Sequence, residues 1–396
     1  MQNKKTQELY IKGGLNPYIR WVNAMKVLHL ISGGDTGGAK THVVNLLQEL
    51  DKRIDVKIIC FLKGEFYYEI KEKGINIEVY EQKTRYDLSV IKRLMKEIKE
   101  EEYDLIHCHG ARANFITYLL KKFYKIPAVT TVHSDYKLDF KGSFYKNLVY
   151  RNLNYISLKH MDYYIGVSES FRDMLIDRGF APDRVMTVYN GINVREVESK
   201  KINKNFLKEY GIDTDENTVK IGILARLYPV KGVEVFIKAA GKVLAKRQDV
   251  EFFIAGDGEE RENLLNLTKK LNIDDKVHLL GYIRDPYSFI NEIDINTNTS
   301  YSESFPYVIL EGGVFKKPII ASNVGGVKDL VVHEETGLMF EPGDVDTLSN
   351  YMLKLIEDED LRKILGNNLY KKINDSYSSE KMADKQILIY QQILGR

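Results

Sequence analysis

KVLHLISGGDTGGAKTHVVNLLQEL, residues 26–50, decides the architecture. Residues 26–32 form an apolar run of strand length, and residues 33–38 form a glycine-rich turn. From Ala39 onward the apolar positions Val43, Val44, Leu47 and Leu50 fall at helical spacing. Strand, tight loop and helix make the unit from which parallel sheets are built, and here the unit recurs. DVKIICFL, INIEVYE, DLIHCHG, AVTTVHS, YYIGVS and RVMTVYNGIN read as further strands, with helices between several of them. Residues 195–218 are polar and carry no strand pattern, which places a domain border near residue 200. The alternation then restarts with VKIGILARL, VEVFIKAAGKVLAKR and VEFFIAGDG, and runs through KVHLLGYI, IDINTNTS, PIIASNVGG and GLMFEPG. SSEKMADKQILIYQQIL is a terminal helix with Ser378 or Ser379 as its cap. The expectation is an α/β chain of two successive doubly wound units, 25–200 and 201–376, followed by a helix over 377–396. Ligands of such sheets bind outside the carboxyl ends of the strands, so a cleft between the units is expected.

The 396 residues suit two domains, and 44% hydrophobic against 29% charged residues is ordinary globular composition. No stretch of about 20 apolar residues occurs, so no spanning helix is expected. Residues 1–24 lack the apolar centre of a secretion signal and read as an extension outside the fold. Cys60 and Cys108 sit in apolar strands without metal-ligand spacing, which suits buried thiols in a reducing cytoplasm. The net charge of +2 conceals an asymmetry. Residues 1–200 hold 32 Lys+Arg against 25 Asp+Glu, and residues 201–396 hold 26 against 31. The basic half points to an anionic surface or substrate.

Three motifs carry chemistry. The loop Gly33–Gly38 lets backbone approach a phosphate at a helix N-terminus. Its spacing fits neither G-x-G-x-x-G nor the phosphate-loop pattern, and a tight strand–helix turn explains it equally well. In GILARLYPVKG, residues 222–232, Arg226 and Lys231 follow a strand and could neutralise a diphosphate, or could simply be solvated. In SYSESFPYVILEGG, residues 300–313, Ser304 is positioned to cap a helix starting around Pro306. Glu303 stands at its mouth, and Glu311 lies about a turn and a half inside. Two carboxylates at that spacing could grip separate hydroxyl-bearing parts of one ligand, with an anion at the helix start between them. A structural ion pair for Glu311 is the plainer reading. Asp213-x-Asp215 falls away from any strand end and Asp344-x-Asp346 reads as helix-cap chemistry, so no metal site is expected. Asp35 could orient a ligand or make a turn bond. His107 and His109 read as structural, and Tyr301 and Tyr307 as pocket wall or core.

These motifs occur in order with His133 in TTVHSD and Asn190-Gly191 in VYNGIN. In that combination the chain resembles the retaining nucleotide-sugar glycosyltransferases of family 4, from Met25 to the C-terminus. GILARLYPVKG, SESFPYVILEGG and KKPIIASNVGG are the most specific parts. The resemblance implies a GT-B fold: two Rossmann-like domains facing across a cleft, with the last helix crossing back to the N-terminal domain. The N-terminal domain would take the acceptor and the C-terminal one the nucleotide sugar. It also implies roles. Glu303 would bind donor-sugar hydroxyls and Glu311 the ribose, while Arg226 and Lys231 neutralise the diphosphate. Backbone amides over Ser304, Phe305, Tyr307 and Val308 would contact sugar and phosphate. Gly37 and Gly38 would leave room for phosphate and acceptor, and His133 would line the reaction centre.

The implied activity is metal-independent, cofactor-free transfer of a sugar, with a UDP-sugar as expected donor, to a hydroxyl of a glycan, lipid-linked or small-molecule acceptor. A nucleotide-sugar epimerase or phosphorylase on the same fold is the alternative. A dinucleotide-dependent oxidoreductase would need the G-x-G-x-x-G that the chain lacks. Nucleic acid is not an expected partner. Residues 121–160 interleave lysines with Phe123, Tyr124, Phe140, Phe144, Tyr145 and Tyr150. That composition suits the headgroups of an anionic membrane, and a solvated helix face whose tyrosines pack on the domain is the competing reading. The expected location is the cytoplasm, peripheral on the inner face of the cell membrane.

Overall fold

The structure is a computed structural model. It describes residues 10–11, 14–15, 25–34, 37–82, 87–135, 153–215 and 217–395. Most of the expected extension over residues 1–24 therefore lies outside the described residues. What is described there is a short antiparallel pair, β1 (Tyr10–Ile11) with β2 (Gly14–Leu15). Asp35 and residues 136–152, the centre of the basic aromatic segment, also lie outside.

The chain forms two compact units. The first contains β3 (Lys26–Ile31), β4 (Asp55–Cys60), β5 (Ile77–Val79), β6 (Leu105–His109), β7 (Ala128–Val132), β8 (Tyr163–Gly166) and β9 (Val185–Thr187). They make one seven-stranded sheet in the order β5-β4-β3-β6-β7-β8-β9, with every pairing parallel. Both faces of a parallel sheet are covered, which is why these strands read as near-continuous apolar runs. The second unit repeats the scheme with β10 (Val219–Leu224), β11 (Val250–Ala255), β12 (Val277–Gly281), β13 (Ile295–Asn298), β14 (Ile319–Ser322) and β15 (Leu338–Phe340). Its order is β12-β11-β10-β13-β14-β15, again all parallel. In each sheet the winding reverses once, between β3 and β6 and between β10 and β13. Ligand crevices of open α/β sheets form at such switch points.

The unit borders differ from the expected ones. They fall at Gly191/Ile192 and Ser378/Ser379, where 200/201 and 376/377 were expected. Hydrogen bonding explains the shift. His42 Nδ1 lies 2.9 Å from Asn190 Oδ1, and Asn45 donates to the Gly191 carbonyl at 2.9 Å, so this end of the first unit is tied to the helix Gly38–Leu50. One residue on, the Ile192 N–H donates to the Tyr377 carbonyl, and Ile192 pairs with Ser378. The polar stretch read as a linker carries two short helices, Val194–Glu198 and Phe206–Glu209. Phe206 and Leu207 are buried with Phe289 and Ile293, which anchors the segment to the second unit.

The helix Ser379–Leu394 returns to the first unit. Its Met382, Ala383, Ile387 and Tyr390 share one buried cluster with Val27, Ile31, Val43 and Leu47. Cys60 and Cys108 are buried free thiols, pushed by burial up to about 11 and about 12.

Candidate functional site

In the second unit the motif residues gather at the switch point. After β10 the chain passes through Ala225 and Leu227, whose N–H groups donate to the carbonyls of Ala255 and Asp257. Buried Leu227 anchors this loop, leaving Arg226 exposed with its guanidinium over the Tyr228 ring at 5.6 Å. Among the described residues Arg226 makes no ion pair. Lys231 ends the short turn Pro229–Lys231, and Gly232 follows with φ of 59°. A Cβ at Gly232 would lie 2.2 Å from the Thr299 carbonyl oxygen, so only glycine lets the loop after β10 reach the loop after β13. Thr299 seals the contact by donating its hydroxyl to the Lys231 carbonyl at 3.1 Å.

Glu303 lies in that second loop, 9% exposed. Its Oε1 receives three donors: Lys231 Nζ at 2.7 Å, the Ser300 hydroxyl at 2.6 Å and Asn298 Nδ2 at 3.3 Å. Its Oε2 receives none among the described residues. A carboxylate gripped by one oxygen and open at the other is a positioned acceptor for a ligand's hydroxyls. The close approach of Gly325 holds the loop here, since a Cβ there would lie 1.8 Å from the Glu303 carbonyl oxygen.

The helix bearing Glu311 departs from expectation. It spans Tyr307–Val314 with Pro306 as N-cap, and no side chain caps it, Ser304 included. Phe305 is buried, its ring 5.3 Å from that of Tyr377, and Pro306 is extended, so the helix starts one residue later. Buried Phe305 and Tyr307 can offer a ligand their backbone only; Ser304 and Val308 are half-buried. Tyr301 is exposed and donates its hydroxyl to Glu234.

Glu311 is half-buried without an ion pair or hydrogen-bonding side chain among the described residues, so the structural ion pair does not form. Burial pushes its carboxyl up to about 7. The folded value lies above the unfolded one, so the folded state holds the extra proton between about pH 4.5 and 7 and loses stability as pH rises through 7. Glu311→Gln is therefore expected to match wild type in Tm near pH 4.5. It should be more stable by on the order of 2 kcal/mol above pH 7, after allowance for partial exposure. Thermal melts across pH 4.5–8.5 check this; parallel Tm curves for the two proteins would refute it.

Of the two aspartate pairs, the second has the cap role read from the sequence. Asp213 is exposed and pairs with Lys208, while Asp344 caps the helix Val345–Glu357 by accepting the Thr347 N–H at 3.0 Å.

In the first unit Gly37 is the N-cap of the helix Gly38–Leu50, with φ of 66°. Gly37 and Gly38 are exposed, and a Cβ at Gly37 would meet nothing within 4 Å. The close approach belongs to Gly33, where a Cβ would lie 2.4 Å from the Leu62 carbonyl oxygen. His133 follows β7, half-buried, with its Nε2 3.4 Å from His109 Nδ1 and its ring 4.8 Å from that of His42. Arg178 grips Asp135 through two contacts of 2.7 Å and so fixes the chain just past His133. Burial holds His133 well below the ordinary imidazole value, so it is neutral. The sequence reading missed His29 and His42, both wholly buried. The signal available was a histidine on each of two neighbouring apolar segments, facing the His-x-His of β6.

Two doubly wound parallel sheets, one with a half-open carboxylate beside a lysine in the loops at its switch point, make up the architecture of the GT-B class. Residues 36–196 match the model for Glycosyltransferase Family 4, and residues 204–372 match that for Glycosyl transferases group 1. N-acetyl-alpha-D-glucosaminyl L-malate synthase of Bacillus anthracis is 29% identical over 313 residues, covering 78% of this chain and 80% of that protein. The UDP-Gal:alpha-D-GlcNAc-diphosphoundecaprenol alpha-1,3-galactosyltransferase of Escherichia coli is 27% identical over 305 residues, 76% and 78% of the two chains. HepE of Anabaena, crystallised with UDP, superposes with a TM-score of 0.78 at 22% identity over 93% of this chain and 100% of that one, a likeness of fold. The protein belongs to the family 4 glycosyltransferases and has the GT-B fold.

Proposed function

We propose that the protein moves a hexose from a UDP-sugar to a hydroxyl of a glycan or lipid-linked acceptor in envelope polysaccharide synthesis, with retention of configuration and without a divalent cation. The observation that carries the reading is the Glu303 carboxylate, fixed through Oε1 and open at Oε2. In this reading Oε2 accepts from the donor sugar, and Glu311, unpaired among the described residues, accepts from the ribose. Arg226 and Lys231 neutralise the departing diphosphate, assisted by backbone amides from Ser304 to Val308. Gly37 and Gly38 leave space for phosphate and acceptor, and His133 lines the reaction centre. No protein nucleophile is required, since leaving-group stabilisation and alignment of the acceptor hydroxyl supply the rate. The UDP assignment is supported by the UDP complex of HepE and the UDP-Gal in the name of the Escherichia coli relative. That name also supports a lipid-linked acceptor.

No helix among the described residues is long and apolar enough to cross a membrane. We place a peripheral membrane contact on residues 121–160. Phe123 is 69% exposed beside Lys122, and Tyr155 and Ile156 are exposed with Lys159 over the Tyr155 ring at 5.3 Å. Each basic residue near an anionic surface adds about 1 kcal/mol.

One assay tests the reading. A panel of nucleotide sugars is offered with soluble and lipid-linked acceptors, the latter in anionic or neutral vesicles at low salt, with and without EDTA. Release of UDP from one donor, indifferent to EDTA and fastest on anionic vesicles, is expected. Turnover lost in EDTA and restored by a divalent ion overturns the metal-free reading. Equal rates on both vesicle types overturn the membrane contact.

A further inference from the structure

Six side chains of the first unit form an unbroken hydrogen-bonded chain. In the parallel register His29 lies opposite His107, and His109 lies opposite Thr131. Alternation along each strand therefore puts all four on one face, which the last helix covers with Tyr390. Thr131 Oγ1 is 2.7 Å from His107 Nε2, and His107 Nδ1 is 2.5 Å from the Tyr390 hydroxyl. That hydroxyl is 3.3 Å from His29 Nε2, and His29 Nδ1 is 3.1 Å from His109 Nε2. His109 Nδ1 completes the chain at His133 Nε2, 3.4 Å away.

His29, His107 and His109 bring ring nitrogens within 4.8 Å of one another, close enough to suggest a metal site. All six of their nitrogens are already hydrogen-bonded, however, so an ion would have to break the chain. Burial keeps the imidazoles neutral, and a neutral ring offers one donor and one acceptor. Each link then dictates the next, and the chain can point only one of two ways.

Thr131 selects the direction. Its hydroxyl is buried, and His107 is its one side-chain partner among the described residues. If His107 donated to it, the hydroxyl hydrogen would be left without an acceptor, which is more costly than leaving a lone pair unused. Thr131 therefore donates to His107 Nε2, and His107 Nδ1–H donates to Tyr390. Tyr390 donates to His29 Nε2, His29 Nδ1–H to His109 Nε2, and His109 Nδ1–H to His133 Nε2. We propose that this chain locks His133 as the Nδ1–H tautomer, a neutral hydrogen-bond donor to the ligand and not a base, with Thr131 and Tyr390 as positioning residues. His133 Nδ1 has no partner among the described residues and is not sealed from solvent. That this N–H meets the ligand rests on the function proposed above; the tautomer does not.

Nitrogen-15 spectra of histidine-labelled, ligand-free protein read the tautomer directly. The expected result is a proton-bearing Nδ1 and a bare Nε2 on His133. Thr131→Val, which keeps the shape and removes the donor, should shift His133 toward a mixture of tautomers and lower kcat/KM about tenfold, the size of one neutral hydrogen bond. Thr131→Ser should restore both. Tyr390→Phe breaks the chain at a second point and should give the same spectral change should the valine variant fold poorly. An Nε2–H tautomer in wild type, His133 signals unmoved in both variants, or stoichiometric bound metal with metal-type shifts each overturns the proposal. Absence of transferase activity with the expected spectra would overturn the ligand reading alone.

Discussion

Glu303→Ala is expected to lower kcat/KM for transfer by about a hundredfold or more while binding nucleoside diphosphate at least as tightly as wild type. The carboxylate's proposed partner is the sugar, and losing a preorganised group of this kind costs about 3 kcal/mol at the transition state. The diphosphate side gains, because Lys231 Nζ sits 2.7 Å from Glu303 in the ligand-free protein with its side chain 20% exposed. Removing the acid frees that ammonium for its proposed contact with the phosphates. Calorimetry with the nucleoside diphosphate and steady-state kinetics read the two effects separately. Undiminished transfer, or a weaker diphosphate complex, would sink the assignment of Glu303 to the sugar.

Lys231→Ala is expected to do more damage, because it removes two things together. In the proposed reading it takes a cation from the leaving group, a loss of about a hundredfold or more in kcat. It also leaves the buried Glu303 carboxylate, among the described residues, with only Ser300 and Asn298, and breaking a buried pair costs about 3–5 kcal/mol. This pair is not fully enclosed, so about 2 kcal/mol of lost stability is the reasonable expectation. Adding Glu303→Gln separates the contributions: the double variant should recover most of the lost Tm and none of the transfer. A double variant as unstable as Lys231→Ala would place the stabilising role of Lys231 somewhere other than its pair with Glu303.

The parts of the molecule legible in the sequence are those written as local patterns. KVLHLIS, VKIGILARL and VEFFIAGDG are continuous apolar runs because parallel strands are buried on both faces, and each is a strand here. The placement of Lys231 and Glu303 was readable because each lies in a loop that follows a strand, but their ion pair was not. What escaped was set by contacts distant in sequence. Ser304 looks like a helix cap by its neighbours, yet the insertion of Phe305 against Tyr377 delays the helix to Tyr307. Residues 195–218 look like a linker, yet Phe206 and Leu207 find a core around Phe289. The histidine chain was the least visible, since one of its links joins residues 361 positions apart. His107 and His109 each looked structural because nothing nearby in sequence shows them Tyr390 or His29.

The return of the helix Ser379–Leu394 to the first unit has a consequence for protein synthesis. Residues 192–378 form an uninterrupted block, so the second unit has all its parts once the ribosome passes residue 378. The first unit, although begun earlier, still lacks Met382, Ile387, Ile389 and Tyr390 from its core at that point. Four apolar side chains at about 2 kcal/mol each approach the whole net stability of a domain, about 5–15 kcal/mol. The face of the first sheet bearing Val27 and Ile31 therefore waits through about 200 further residues of elongation, roughly 10–40 s at 5–20 residues per second. A nascent chain therefore finishes its first unit no earlier than its second, and during that interval the first sheet depends on a chaperone or on speed to stay out of aggregates.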